Sequence, residues 1–520
     1  MNPLERKDLD RLRDIGVSGE EARRQIELLT HRPAGRDLDR PCTPGDGIET
    51  LEPEIWPALD AAHARAAREG RCLAFVPASG AATRMFQDLI ACRASGGPVT
   101  RDRLDAETAE GRPESRATAE FLHRLEAFAF AEELAEAARR AGHEPEELRS
   151  RGAWDALLSA LLDREGLGYA ERPKGLLAFH REGGEARTAF EEHLVEASEL
   201  VRDEAGVCRM HFTVSSSHLP DFEAKLKEAR ARLEPLLGVR FEVTFSVQKR
   251  ATDTLAVDLE GKVFRDPEGE VLLRPSGHGA LIENLGDLKG DIVIIKNIDN
   301  VASAPYRAPT IEWMRRLVGL LVETQRQSFA HLEQLDGAAE TEVVDAALAF
   351  AVETLGTSLP EWAAHAGFEE RRALAIATLH RPARVCGMVE NTGEPGGGPF
   401  WVRGRDGALS RQIVEGAEVQ ADESQRAAFA RGTHFNPVFM ACALRDHHGR
   451  PYDLTRFVDP GAVIVARKTT AGRELLALER PGLWNGAMAH WATRFVEVPL
   501  AVFNPVKTVN DLLRPEHQPG

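Results

Sequence analysis

Arg274-Pro275-Ser276-Gly277-His278-Gly279 is followed shortly afterwards by Asn297-Ile298-Asp299-Asn300. Between them, Asp291-Ile292-Val293-Ile294-Ile295-Lys296 has the length and β-branched content of a buried strand. A Gly-His-Gly turn, a helix, and a strand ending on an acidic residue is how an α/β protein presents a nucleotide and its metal. Ligands in such sheets sit outside the carboxyl ends of the strands. Asp299 is therefore placed to bind Mg²⁺ through one oxygen, as suits an ion that keeps several waters. Gly277 and Gly279 let backbone approach a flat base or ribose, and His278 can donate or accept a hydrogen bond. The plain alternatives are a helix-capping turn and an Asn/Asp-rich turn.

Upstream, the apolar run Cys72-Leu73-Ala74-Phe75-Val76 reads as a strand that enters Ser79-Gly80-Ala81-Ala82-Thr83-Arg84 before a helix near Phe86. Small side chains let backbone N–H groups approach phosphate oxygens, and a helix start adds favourable partial charge. Thr83 can donate its hydroxyl and Arg84 can pair bidentately with phosphate. The loop is neither Gly-x-x-x-x-Gly-Lys-Ser/Thr nor Gly-x-Gly-x-x-Gly, and a tight strand–helix turn with a surface arginine explains it equally well. Pro173-Lys174-Gly175 offers a compact mobile charge suited to phosphates. Near the end, Phe503-Asn504-Pro505-Val506-Lys507 sets a lysine between apolar positions that would anchor it. Glu415, His434 and Asn436 can hydrogen-bond sugar hydroxyls, each a weak signal alone. His447-His448 has no partner cluster in the sequence and reads as surface.

Composition bounds the function. The 520 residues carry 65 Lys and Arg against 82 Asp and Glu, a net charge of −17. That balance argues against general nucleic-acid or anionic-membrane binding, which needs basic surface. The six cysteines are scattered with no Cys-x-x-Cys pair, the pattern of reduced structural thiols. The charged N-terminal stretch lacks the apolar core of a signal peptide, and no apolar run spans a bilayer, so a cytoplasmic protein is expected.

Residues 1–70 read as a helical N-terminal extension, broken at Cys42-Thr43-Pro44-Gly45-Asp46-Gly47. A core over 71–515 follows, with helical insertions at about 100–170 and 305–384 and a sugar-side part at about 385–515. Alternating strands and helices predict an α/β fold with a mainly parallel, mixed sheet.

In order, these pieces resemble the UDP-sugar pyrophosphorylases, the large GT-A-fold (Rossmann-like) uridylyltransferases. The family's Gly-rich loop ending Gly-Thr and its Pro-Lys are matched by Ser79–Thr83 and Pro173-Lys174. Its Pro-Gly-His-Gly turn is matched by Ser276–Gly279, with Pro275 one place earlier, and its strand ending Asn-x-Asp-Asn by Asn297–Asn300. Its Leu-Glu-Ile-Ala-Gln-Val segment resembles Ile413–Val419, and its closing Phe-Leu-Pro-Val-Lys-x-x-Ser-Asp-Leu-Leu resembles Phe503–Leu513, with Asn510 for the serine. The whole chain is also similar to a bacterial family of unassigned function, through stretches such as Pro481–Ala489.

The first resemblance implies a Mg²⁺-dependent nucleotidyltransferase, in which a sugar 1-phosphate attacks the α-phosphorus of an NTP, first of all UTP, and releases pyrophosphate. It implies catalytic roles for Arg84, Lys174 and Lys507, and nucleotide contacts from Ser79, Gly80, Ala81, Ala82, Thr83, Gln248, Gly277, His278 and Gly279. Glu415 and Asn436 would face the sugar, and Asp299 would hold the metal. The family's second loop glycine is Ala82 here, where a methyl group would crowd the phosphates, and the spacing from Arg84 to Lys174 is much longer than usual. Two other readings stay open: a GT-A glycosyltransferase using a nucleotide-sugar, and a non-catalytic nucleotide-sugar sensor. The two lysines favour transfer from a triphosphate, which has more charge to neutralise.

Overall fold

The computed structural model describes residues 4–31, 33–337, 339–394, 396–419, 422–470 and 472–519. Two compact units divide the chain. The first holds residues through Phe75, Ser246–Ile295 and Met314–Leu500; the second holds Val76–Phe245, Lys296–Trp313 and the residues from Ala501 onward.

The first unit is built on the strand that the sequence marked most clearly. Ile292–Lys296 pairs in parallel with Cys72–Pro77, Ile292 opposite Cys72 and Ile295 opposite Phe75. Parallel pairs also join Ala383–Glu390 to Ala492–Glu497, that strand to Gly47–Glu49, and Gly47–Glu49 to Thr43–Pro44. Phe439–Ala443 and His434–Phe435 run antiparallel to Ala383–Glu390. The result is the expected mainly parallel, mixed α/β sheet. Val293 and Ile295 are buried with Phe75, Leu285, Met388, Met440 and Phe495 in one apolar cluster. A strand covered on both faces needs a continuous apolar run rather than an alternating one, and Ile292–Ile295 supplies it.

Helices Arg6–Asp14 and Gly19–Thr30 start the chain, as its composition suggests. Ser18 caps the second by accepting from the Glu21 N–H at 3.0 Å. The reading of 1–70 as helical nevertheless needs correction, because Leu38–Pro41, Thr43–Pro44 and Gly47–Glu49 are strands. Their partners include Gly398–Arg403 and Ala492–Glu497, far along the chain, so no local periodicity announces them. Gly47 is fixed by its φ of +94° and by Cys42, whose Sγ would lie 2.7 Å from any Cβ placed there. The expected helical region at 305–384 comprises Ala308–Asp336, Thr341–Glu353 and Phe368–Leu379.

The second unit contains the other expected helical region, from Arg101–Ala109 to Trp154–Leu162. Strands Val207–Thr213 and Arg240–Ser246 flank the helix Leu219–Leu237, as the sequence predicts. Helix Ala189–Leu200 opens with a capping box, Thr188 and Glu191 each bonding the other's backbone N–H. Cys72–Pro77 leads into the 79–84 loop, and Ile292–Lys296 leads into Asn297–Asn300.

Candidate functional site

In the second unit, the turn after Lys296 is held from below. Lys296 is buried and its ammonium lies 2.7 Å from both oxygens of Glu196. His193 contacts the Ile298 carbonyl through Nε2 at 3.3 Å, and burial pushes its pKa down to about 4, so this imidazole is neutral at physiological pH. Asn300 laces the chain's last segment to the turn: its Nδ2 donates to the Val502 carbonyl and its Oδ1 accepts from the Asn504 N–H. The Val506 N–H donates to the Asp299 carbonyl at 3.0 Å. Asp511 then takes the N–H groups of Lys507 and Thr508 at 2.8 and 2.7 Å, fixing the backbone that carries Lys507.

These restraints bring together three residues that are far apart in sequence. The Lys174 ammonium donates to Asp299 Oδ2 at 2.9 Å and to the Val506 carbonyl at 2.8 Å, and Lys507 donates to the same Oδ2 at 3.1 Å. Lys174 is 13% exposed and Lys507 52%, so one cation is built in and the other faces solvent. Burial alone would raise the pKa of Asp299, but the charges of Lys507 and Lys174 and their hydrogen bonds outweigh it and hold the carboxyl below its ordinary value. Two ammoniums on one carboxylate leave a net positive centre. Gly175 follows Lys174 because a Cβ there would press to 3.0 Å from the Phe222 ring and 3.3 Å from Ile298.

The 79–84 loop packs beside Lys174. The Lys174 N–H donates to the Gly80 carbonyl at 3.2 Å, and the Ala82 N–H donates to Arg172 O at 2.9 Å. Ser79, Gly80 and Ala81 stay exposed, and a Cβ on Gly80 would meet nothing within 4 Å. Their N–H groups make no backbone hydrogen bond among the described residues, which leaves three donors open to an anion. Arg84 is exposed and has no ion-pair partner among the described residues. Two expectations change. The Ala82 side chain is fully buried, so its methyl group does not face the exposed loop surface and does not crowd an anion there. The Thr83 hydroxyl donates to the Ala170 carbonyl at 2.9 Å, so its proton is already engaged.

In the first unit, the Gly-His-Gly turn is packed against the 479–485 segment. Gly277 has a φ of +79°, and a Cβ on Gly279 would fall 2.2 Å from the Pro481 carbonyl oxygen. Both glycines are therefore required by the fold itself. His278 accepts from the Leu483 N–H at Nδ1 (3.0 Å), which puts its proton on Nε2, and its ring stacks on Trp484 at 4.2 Å and 16°. Burial lowers its pKa against the pull of Glu415 and Glu479, keeping the ring neutral. A cavity of about 280 Å³ opens beside this turn, lined by Gly279, Ile282, Glu283, Leu478, Arg480 and Pro481 among others. Gln248 has its Nε2 buried without a hydrogen-bond partner.

Glu415 accepts from Asn485 Nδ2 at 2.9 Å, and the same Nδ2 reaches Glu418 at 3.1 Å. Burial pushes the Glu418 carboxyl up to about 7, and both its Oε1 and Asn485 Oδ1 are buried without hydrogen-bond partners. Sequence reasoning missed Glu418, Trp484 and Asn485, although all three lie in stretches quoted for family resemblance. Asn436, expected to face a sugar, instead has both ends of its amide engaged. Its Nδ2 donates to the Gly387 carbonyl and its Oδ1 accepts from the Val438 N–H. That clamp holds Val438 at a φ of +55°, a strained conformation for a β-branched residue. His447-His448, read as surface, also has partners: Asp336 Oδ2 lies 2.7 Å from His447 Nε2 and 3.6 Å from His448 Nε2.

A family profile described as a domain of unknown function, DUF4301, matches residues 5–518. The chain belongs to that family. No curated protein matches it. Among solved structures, it is similar to the uridine diphosphate N-acetylglucosamine pyrophosphorylase of Trypanosoma brucei, at 12% identity and a TM-score of 0.46, over 98% of this chain and 82% of that one. It is also similar to a Leishmania major UDP-glucose pyrophosphorylase mutant in complex with UDP-glucose, at 13% identity and a TM-score of 0.43, over 97% and 77% of the two chains. A Trypanosoma brucei UDP-glucose phosphorylase gives 12% and 0.44, over 98% and 80%.

Proposed function

We propose that this chain is a nucleotidyltransferase that joins a sugar 1-phosphate to an NTP, UTP first, with release of pyrophosphate. The observation that carries the reading is the placement of Lys174 and Lys507 on the buried carboxylate of Asp299. A structural ion pair needs one cation; a second, half-exposed ammonium on the same oxygen gives a centre suited to phosphate oxygens.

In the proposed reaction a phosphate oxygen of the sugar 1-phosphate attacks the α-phosphorus of the NTP. The bond from that phosphorus to the bridging oxygen breaks, and the electron pair leaves with pyrophosphate. This chemistry asks for positioning and charge stabilisation rather than a protein nucleophile. Lys174, fixed by the Val506 carbonyl and Asp299, would meet the charge developing on the transferred phosphate. Lys507 would swing from Asp299 to the outer phosphates, and the free N–H groups of Ser79, Gly80 and Ala81 with Arg84 would hold the triphosphate. Gly277, His278, Gly279 and Gln248 are assigned to the base, and Glu415, Glu418 and Asn485 to the sugar.

Asp299 supplies one hard carboxylate, the donor type Mg²⁺ uses when substrate phosphates complete its shell. With two ammoniums already on Oδ2, the residue fits the ion only when phosphates offset the added charge. When bound, Mg²⁺ would neutralise phosphate charge and align the pyrophosphate group. The internal engagement of Thr83 and of the Ala82 N–H favours one alternative, a nucleotide-sugar-binding protein without turnover. The test is pyrophosphate release from purified chain with Mg²⁺, each NTP, and a panel of sugar 1-phosphates. Release with one pair supports transfer; nucleotide binding by calorimetry with no release from any pair supports the alternative.

A further inference from the structure

Asp336 is the last residue of the long helix Ala308–Asp336. Facing it is the turn between Arg445 and Pro451, where the Asp446 carboxylate takes the N–H groups of His448 (3.0 Å) and Arg450 (2.8 Å). That bracing sets two consecutive histidines side by side, their rings 3.9 Å apart and inclined by 39°. One nitrogen from each ring and one oxygen of Asp336 lie within 4.8 Å of one another. Donors on a tetrahedral ion with bonds of about 2.0–2.2 Å stand roughly 3.4 Å apart, so small side-chain motions would close this set on an ion.

We propose that Asp336, His447 and His448 form a zinc-class metal site in the first unit that fastens the end of the long helix to the 445–451 turn. Four features support it. The His447 side chain is only 4% exposed and its Nε2 already lies 2.7 Å from Asp336 Oδ2, so two of the three donors are held together before any ion arrives. His380, at the carboxyl end of helix Phe368–Leu379, stands edge-on to His447 with ring centroids 5.8 Å apart, beside the three-residue donor set rather than in it. Its Nε2 is 3.6 Å from Asp446, a carboxylate of the kind that orients ligating histidines. The site also lies at the carboxyl ends of two helices, where exposed carbonyls favour a cation.

Two imidazoles and one carboxylate select zinc, nickel or copper ions over Mg²⁺ and Ca²⁺. Asp336 and His448 are about half exposed, at 47% and 50%, which leaves the ion a path from solvent. Binding exchanges the His447–Asp336 hydrogen bond for two metal–ligand bonds, and a neutral imidazole ligating through Nε2 carries its proton on Nδ1. The six cysteines are all buried and apart from this cluster, so they are not competing ligands in the folded chain. The site uses none of the residues assigned to phosphate, base or sugar, so its test is independent of that reading.

The experiment titrates Zn²⁺ and Co²⁺ into chelator-treated full-length chain, by calorimetry and by the visible bands of tetrahedral cobalt. Because His447 is buried, the variants are the half-exposed His448→Ala and Asp336→Asn, with circular dichroism to confirm the fold. The expected result is one ion per wild-type chain, a rise in unfolding temperature with Zn²⁺, and affinity weakened by about tenfold or more in each variant. No stoichiometric binding by wild type, or wild-type affinity in both folded variants, would overturn the proposal.

Discussion

Replacing Lys174 by methionine removes the built-in ammonium and keeps most of its stem. The ammonium sits 2.9 Å from Asp299 Oδ2 and is 13% exposed. At an effective dielectric constant of about 20, a pair at that distance is worth on the order of 5 kcal/mol before desolvation. Breaking a buried pair by removing one partner costs about 3–5 kcal/mol, because the remaining charge stays uncompensated. Lys507 still reaches Asp299 at 3.1 Å but is half exposed and screened, so it recovers part of the loss. The net expectation is a destabilisation of about 2–3 kcal/mol at neutral pH, or about 4–12 °C in the midpoint of a unit of roughly 200 residues.

The sign of the pH dependence follows from Asp299. Its folded pKa lies below the unfolded value, so its contribution is present above the unfolded pKa of about 3.9 and is lost as pH falls through the folded one. In Lys174→Met the depression shrinks, burial dominates, and the contribution disappears at a higher pH. The gap between wild type and variant is therefore widest near neutrality and narrows through the acid range. Thermal unfolding followed across that range checks it. An equal gap at every pH, or one below about 1 kcal/mol at neutral pH, would refute the reasoning.

Three further outcomes follow. Ala82→Gly should lower stability by about 0.5–1 kcal/mol and give no gain in turnover, since the methyl it removes is buried; faster pyrophosphate release would show that this methyl meets the phosphates. Gly279→Ala should destabilise by at least about 1–3 kcal/mol, measured by unfolding midpoint, because the new methyl meets the Pro481 carbonyl and backbone must move; a midpoint unchanged from wild type would show that the 480–481 segment yields freely. Glu418, with a folded pKa raised to about 7, contributes stability below its unfolded pKa that is lost as pH rises through the folded one. Wild type should thus weaken by about 3 kcal/mol between about pH 4.5 and 7 relative to Glu418→Gln, and parallel stability–pH curves would contradict this.

The parts of this account that the sequence revealed were those written locally. The apolar run Ile292–Ile295 announced a strand buried on both faces, and the turn after its end, which holds Asp299, was the natural place for an acid. Lys507 stood out because apolar neighbours flank it, and Val506 does lie buried while the lysine projects to Asp299. What stayed hidden depends on long-range pairing. The ring that covers His278 comes from Trp484, the acid that meets His447 comes from Asp336, and the strands Leu38–Pro41 and Gly47–Glu49 find partners beyond residue 390. Side-chain direction was hidden too. Ala82 reads as an obstruction in a phosphate loop until its methyl is seen in the core, and Asn436 reads as a sugar ligand until its amide is seen holding Val438.

The central claim is that the Lys174–Asp299–Lys507 cluster serves phosphoryl chemistry rather than stability alone. Its most direct test is pyrophosphate release by the wild-type chain with Mg²⁺, UTP and a panel of sugar 1-phosphates, beside Lys507→Met, whose half-exposed ammonium contributes little to folding. The account predicts release by wild type with at least one sugar 1-phosphate, and a loss of about 10²–10³ in kcat in a variant whose unfolding midpoint barely moves. Release at the wild-type rate by Lys507→Met, or no release by wild type from UTP with any sugar 1-phosphate of the panel, would contradict it.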